Sequence, residues 1–569
     1  MKKLNYILFS VLLFFVAVSC DEDALLTEIP KDFQTPENSF TTKEGFEAGM
    51  ASLHSTMHSS IFGSSDQWQK FVHFGQDVDL AVSGLGEDAL WYSIRWNTMT
   101  PDDETVLGWW RTYYSLIFRA NTIINRADDP VVFWNSEEEK NEIVGEAKFI
   151  RAFAYHFLAN MWGGVPITLE ETAGARFDYV RSTQSEVYEQ CVEDLTFATQ
   201  WMKTVDKIKG GQIPRGAAYH LLSEVYIAMG KYSEAVTAAS GVIDDPNYEL
   251  MTERFGKYKD FTFYGYDYQG EQEPWGDVYW DLFRDGNFHR SQGNKEAIWN
   301  TNLVYLGEGS GYPLTFERWW GPYCWGAKAP DGVQNLLMDS LMGRPVGVIR
   351  PTKYASEDIW NFKDSKDTDI RNSKYNIQRD FYWNNPASDH YGQLVKKEDY
   401  IDQGSSYFRS IYPYFMKFVQ AVHYGQEVDK TSGQKHDNGR TWKDVYLMRV
   451  AETYLLRAEA HHLNGRNELA AADINVVRSR ANANPVDAAD VDLDLILDER
   501  ARELYGEEFR VNTLLRMGKL KEYLRKYHHA TQVQNLTYPD GGFLELLPIP
   551  QREIEANKDA VLEQNPGYE

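Results

Sequence analysis

Four aromatic residues crowd into the ten-residue segment ERWWGPYCWG: Trp319, Trp320, Tyr323 and Trp325. Glycine and proline break the helical pattern there, which suits a loop. A second set, Trp91, Tyr92 and Trp96, lies in ALWYSIRW, with Asp77 and Asp79 nearby in the chain. A third is Trp275 with Trp280. A flat ring can cover an apolar C–H face while Asp, Asn, Gln or Arg takes hydroxyls, so these sets suit a neutral sugar. The competing reading of each tryptophan, a ring buried in the core, stays equally open. Trp110 and Trp162 lie in strongly helical segments and read as core.

Other groups capable of chemistry are less pointed. Glu499, Glu503, Glu507 and Arg510 resemble a catalytic acid cluster, but their helical spacing favours an ion-pair network. His54 and His58 stand one helical turn apart without an evident third ligand, which reads as ordinary helix histidines rather than a metal site. No HExxH, GxSxG, P-loop or CxxC pattern occurs. Gly307, Gly309 and Gly311 form a GxGxG with no helical apolar pattern after it, hence a flexible loop. These patterns name no catalytic residue and no cofactor site, which by itself does not exclude an enzyme. A glycan hydrolase needs only two carboxylates across a sugar bond, and 84 acidic residues leave room for such a pair. A structural calcium ion also stays open, although no calcium-loop spacing is present.

The elements that must position these residues are mostly helical. GAAYHLLSEVYIAMGKYSEAVTAASGVID, from Gly216 to Asp244, reads as two antiparallel helices hinged at Gly230. Ala218, Leu221, Leu222, Val225 and Met229 make one apolar face, and Ala235, Ala238, Ala239 and Val242 let a neighbouring axis approach closely. Tyr226, Tyr232, Ala235 and Pro246 follow the tetratricopeptide pattern. Tyr446 to Ala481 repeats the layout, with Gly465 in place of Gly230 and a core face of Leu447, Val450, Tyr454, Leu455 and Ala458. Such units stack, so neighbours are predicted. Further helices are expected over residues 44–59, 109–126 and 142–161, the last stopped by Gly163, Gly164 and Pro166. Thr183 and Glu186 form a capping box for a helix that buries Cys191. Cys324 sits among aromatics, and spacing does not indicate a disulfide. From Phe261 to Trp325 the helical period fades, and 18 of those 65 residues are aromatic. That middle region is the part free to vary and to bind.

The net charge of −26 argues against nucleic acid, which demands a basic face. The N-terminus carries Lys2, Lys3, an apolar run from Tyr6 to Val18, then Ser19 and Cys20. The run is short for a span and reads as a signal peptide over residues 1–19. A small residue before Cys20 suits a lipoprotein signal, with the thiol acylated by palmitate-type chains, although Ala17 departs from the usual Leu. Ordinary secretion with an incidental cysteine is the alternative. Asp21, Glu22 and Asp23 resemble a surface-export signal, or else a solvated linker.

Together these segments resemble the SusD/RagB family of outer-membrane nutrient-binding lipoproteins. The resemblance runs through Trp110, Tyr114, Ile117, Ala120 and Asn121, then GEAKFIRAFAYHFLANMWGGVPI from Gly145. It continues through both helix pairs, DERARELYGEEFR from Asp498, and LLPIPQREIEAN with QNPGY at the end. Thr513 stands where the family usually has Asp. The resemblance implies a mostly α-helical, SusD-like fold after the signal peptide. Its N-terminal half would cover residues 20–260, a loop-rich binding region 261–440, and C-terminal helices and tail 441–569. It implies a non-enzymatic lipoprotein at the outer membrane that captures oligo- or polysaccharide and passes it to a SusC-type, TonB-dependent barrel. A peptide-binding RagB-like protein, a glycan hydrolase and a scaffold with no small ligand remain alternatives.

Overall fold

The computed structural model describes residues 35–62, 68–85, 94, 96–172, 174–265, 267–304, 313–324, 327–333, 336–337, 342–399, 407–420, 440–528, 530–534 and 545–568. Helices dominate it. α1 spans Lys43–Ile61, α2 Glu104–Arg126, α3 Glu137–Trp162 and α4 Gln184–Trp201. Each begins where a side chain takes an orphan backbone N–H: Thr42, Asp103, Ser136 and Thr183 accept from Gly45, Thr105, Glu139 and Glu186 respectively. Glu186 returns the bond to Thr183, completing the expected capping box. α3 ends at Gly163, whose φ of 73° no β-carbon tolerates comfortably. Cys191 is buried on α4.

The two tetratricopeptide pairs form as read. α5 is Arg215–Ala228 and α6 Tyr232–Ile243; α7 is Val450–Leu463 and α8 Asn467–Arg480. Gly230 and Gly465 turn the chain with φ of 72° and 71°. Each pair lacks half a core on its own, and the solution is to stack one pair on the other: α6 packs directly against α7. Ile227, Ala235, Leu456 and Ala460 are buried at that joint. His220 and Thr453 hydrogen-bond across it at 2.8 Å. α2, α3, α4 and α5 continue the stack on the other side. One boundary differs from expectation. Leu447 lies in a strand, Tyr446–Arg449, and the helix starts at Val450, because Ala297–Asn300 offers that backbone an antiparallel partner.

The middle region is held by short pairings rather than by a continuous sheet. Among the described residues, β1 (Ala81–Ser83) pairs with β5 (Ile349–Pro351), and β2 (Thr262–Phe263) with β3 (Glu273–Pro274). β4 (Ala297–Asn300) pairs with β8 (Tyr446–Arg449), and β6 (Ile377–Gln378) with β7 (Tyr414–Phe415). No described helix is long and apolar enough to cross a membrane.

Below the middle region, α9 (Leu493–Leu504) and α10 (Arg510–Arg516) carry the charged run. It is a buried ion-pair network. Glu499 meets Arg371, Arg478 and Arg502, each at 2.8 Å. Glu503 meets Arg449 at 2.9 Å, Arg371 at 3.1 Å, and also Arg480. Despite burial, these arginines hold the Glu499 and Glu503 carboxyls well below the usual range. Arg371 comes from the middle region, Arg449 from β8 and Arg480 from α8, so the network ties loops to repeats.

Candidate glycan-binding face

The antiparallel pairing of β1 with β5 brings the segment before residue 86 alongside residues 346–351. The same strip takes the Trp319 segment: Val346, Gly347 and Val348 donate backbone N–H groups to Arg318, Gly321 and Trp319 at 2.7, 2.9 and 3.2 Å. The described members of the first two aromatic sets therefore lie on neighbouring segments. Trp96, Trp319 and Trp320, however, point inward.

Phe316–Trp320 is a short helix, not an open loop. Trp319 and Trp320 are 5% and 2% exposed. Trp320 packs on Phe418 at 5.1 Å and edge-on to Tyr505 at 5.5 Å, while Phe71 lies 5.8 Å from Trp319. The glycine read as a loop signal serves close packing. A β-carbon at Gly321 would lie 2.5 Å from both Pro345 and Tyr414. Trp96 is fully buried, and its indole N–H donates to the Asp77 carbonyl at 2.6 Å. Asp77 has no solvent face either; its carboxylate accepts from the Ile94 backbone at 3.1 Å. Asp79 is buried against Arg510 at 2.6 Å. Burial pushes its carboxyl up, and Arg510 opposes that shift. Trp275 and Trp280 are each 1% exposed, the first edge-on to Tyr375 at 4.9 Å, the second stacked on Phe261 at 5.8 Å. These seven residues are corrected from sugar contacts to structural supports. Neighbouring rings, an ionic partner or, for Trp96 and Asp77, buried hydrogen bonds engage them away from solvent. Trp91, Tyr92, Trp325 and Cys20 lie outside the described residues.

Tyr323 is the exception. It is half-buried at the edge of this aromatic floor, and its backbone N–H donates to the Arg409 carbonyl at 3.2 Å. The Arg409 guanidinium sits 4.8 Å over the Tyr323 ring, and its Nε donates to the Val346 carbonyl at 2.8 Å. Next to it, Arg350 lies 3.8 Å over the ring of Phe408. The result is a surface of two cation–ring pairs, Tyr323–Arg409 and Phe408–Arg350, all four half-buried. Tyr407 borders it; burial and the Glu398 charge push its phenol up, so it stays a hydrogen-bond donor. Rings for C–H faces and fixed guanidinium donors for hydroxyls are what saccharide recognition asks for.

The sequence reading missed Arg350, Phe408 and Arg409. The adjacent Phe408–Arg409 pair was a weak signal, but its partners come from β5 and from the Trp319 segment, which only the fold brings near. The paired histidines hold no metal constellation: His54 bonds Glu146 at 2.8 Å, and burial, with Lys70 adding, pushes His58 down to about 4. Among the described residues no cluster of three His, Cys, Asp or Glu side chains could hold a metal ion.

Comparison with known proteins decides the family. Residues 257–568 match the model described as SusD family, more than half of the chain, and residues 35–227 match one described as starch-binding associating with outer membrane. The chain belongs to the SusD family. SusD-like protein P25 of Formosa agariphila is 23% identical over 98% of this chain and 97% of its own length. Starch-binding protein SusD of Bacteroides thetaiotaomicron is 35% identical over 125 residues, 22% of each chain. Among solved structures, a laminarin binding SusD-like protein aligns with a TM-score of 0.61 at 22% identity, covering 92% of this chain and 99% of that one. Surface glycan-binding protein A from Bacteroides fluxus aligns with 0.62 at 20% identity, covering 92% and 99%. At those identities the SusD-like structures share the fold with this chain, which fits its helical scaffold.

Proposed function

We propose that this protein binds an oligo- or polysaccharide at the outer surface of the outer membrane and delivers it to a SusC-type, TonB-dependent barrel. The observation that carries the reading is the half-buried surface of Tyr323, Arg409, Phe408 and Arg350, where rings and fixed donors alternate. Relatives named for binding starch, laminarin and surface glycan support the ligand class. They also support a role in binding rather than catalysis. The acids that sequence places together are already engaged by arginines, leaving Glu499 and Glu503 without the open geometry of a glycosidase pair. Cys20 carries the lipid anchor in this reading, and the barrel is the partner.

Affinity electrophoresis of the soluble chain starting at Asp21, through gels containing starch, laminarin and other neutral polysaccharides, tests the ligand class. Retardation by at least one polymer, weakened by Tyr323→Ala, is the expected result. Free migration in every gel, with retention of peptides instead, would overturn it. Co-purification with a barrel from the outer membrane tests the partner, and prolonged incubation that releases new reducing ends would contradict the non-catalytic role.

A further inference from the structure

A second aromatic surface lies on the hairpins beyond Trp275. β2 and β3 carry one tip, whose described residues are 264–265 and 267–270. The other tip, residues 388–393, is closed by the Tyr382–Leu394 bridge and by Gly392 donating to the Trp383 carbonyl at 2.7 Å. The two tips interlock. A β-carbon at Gly392 would lie 2.4 Å from the Asp267 carbonyl oxygen and from Gln269 Cγ, so only glycine allows that approach. Gln269 Nε2 donates to the Tyr391 carbonyl at 2.9 Å.

Rings from both tips meet at this junction. Tyr268 and Tyr391 lie 6.1 Å apart with planes inclined by 41°, and Phe263 meets Tyr268 edge-on at 5.8 Å. Tyr268 and Tyr391 are half-buried, and Tyr264 is 46% exposed. Beneath them Phe263 rests on buried Trp275 at 5.3 Å, so the set is braced from below. Tyr268 is held with φ of 52°, a conformation a bulky aromatic residue rarely adopts. Asn384 Nδ2 donates to its phenolic oxygen at 3.4 Å. The strained backbone of Tyr268 places a half-buried ring at the junction of the two tips. Asp267, Gln269 and Gln393 are exposed around the rings and offer hydroxyl partners. The nearby cation Lys374 is committed to Glu273 at 3.1 Å and lies over Trp275 at 5.1 Å. The surface thus presents rings and polar side chains together.

We infer that Tyr268 and Tyr391, with exposed Tyr264 beside Phe263 at 6.4 Å, form a second platform for neutral pyranose units, built from other residues than the Tyr323 face. The ligand class rests on the saccharide reading above; the location rests on the interlocked hairpins. A platform of this kind acts by avidity, adding a contact for long polymers while leaving a short oligosaccharide at the first face unaffected.

The test is the double variant Tyr264→Ala/Tyr391→Ala in the soluble chain, set beside Tyr391→Phe and Tyr323→Ala. The probes are starch, laminarin, xyloglucan and galactomannan gels, and a short oligosaccharide of whichever polymer retards the parent chain. The double variant should lose about three- to tenfold in polymer affinity, from the loss of ring stacking. It should keep its oligosaccharide affinity and melting temperature, and Tyr391→Phe, which keeps the ring, should bind as the parent does. Parent retardation with an unchanged double variant would overturn the platform alone. An unchanged double variant that no longer co-purifies with a barrel would reassign the surface to protein contact. No retardation of the parent by any of the four polymers would overturn the platform together with the saccharide reading.

Discussion

The layer between α7, α8 and α9 and the aromatic floor beneath Tyr323 bury different kinds of side chain. Between α7, α8 and α9 the interior holds small residues and complete charges: Ala458, Ala470 and Ile474 beside Arg478, Arg480, Glu499 and Glu503. Above it, Trp96, Trp275, Trp280, Trp319 and Trp320 pack against one another's neighbours, and glycines let the backbone close over them. Apolar packing tolerates rearrangement of volume, whereas an arginine shared between carboxylates fixes geometry. The charged layer therefore ties the middle region to the repeats, and the aromatic layer stiffens the surface proposed to bind glycan.

The comparison breaks most sharply at Glu503. Glu503→Gln removes the carboxylate that Arg449, Arg480 and Arg371 share, leaving each with a remaining acidic partner and the buried cluster one negative charge short, and a loss of about 3–5 kcal/mol is expected, measured by denaturant unfolding. A loss below about 1 kcal/mol would make the network incidental. Trp320→Ala comes next. Its ring is core, so the variant should lose about 3–5 kcal/mol of stability. Its glycan affinity, in molecules that remain folded, should be nearly unchanged. Weakened binding with an unchanged melting temperature would return Trp320 to the ligand surface.

A smaller effect separates the layers by pH. His73 is buried among Trp109, Tyr113, Phe157 and Phe509, which pushes it down to about 3, and burial pushes His220 down to about 4. The folded protein refuses protons that the unfolded chain accepts at its ordinary value of 6.5. Their stabilisation is therefore complete above that value and is lost as pH falls toward their folded values. Each contributes a slope of about 1.4 kcal/mol per pH unit in that window. His73→Phe should flatten the stability–pH curve below about pH 6 by that amount; an unchanged curve would contradict the assignment.

The scaffold was legible in the sequence because each feature is local. The hinge glycines, the Thr183–Glu186 box and the apolar faces act within a few residues, and the helical spacing of Glu499, Glu503, Glu507 and Arg510 named the ion network without naming Arg371, Arg449, Arg478 or Arg480. The binding face was less legible. Trp319, Trp320 and Gly321 have the same composition in an exposed loop as in a tightly closed segment. What separates the two is Pro345 and Tyr414 lying against Gly321, a contact made by distant chain. Tyr323 is visible in the sequence as one of the clustered rings, whereas Arg409 and Arg350 become its neighbours only through contacts between distant segments. Leu447 was misassigned because an apolar residue next to a helix start fits either period until β4 supplies a partner.

The central claim is that outer rings bind while buried tryptophans support. Isothermal titration of the parent chain and of Tyr323→Ala, using the polysaccharide that retards the parent most, tests it directly when paired with their melting temperatures. The account predicts about tenfold weaker binding by the variant, a loss of about 1.4 kcal/mol, with little change in melting temperature. Equal affinity in the two proteins, or a loss of stability without a loss of binding, would contradict it.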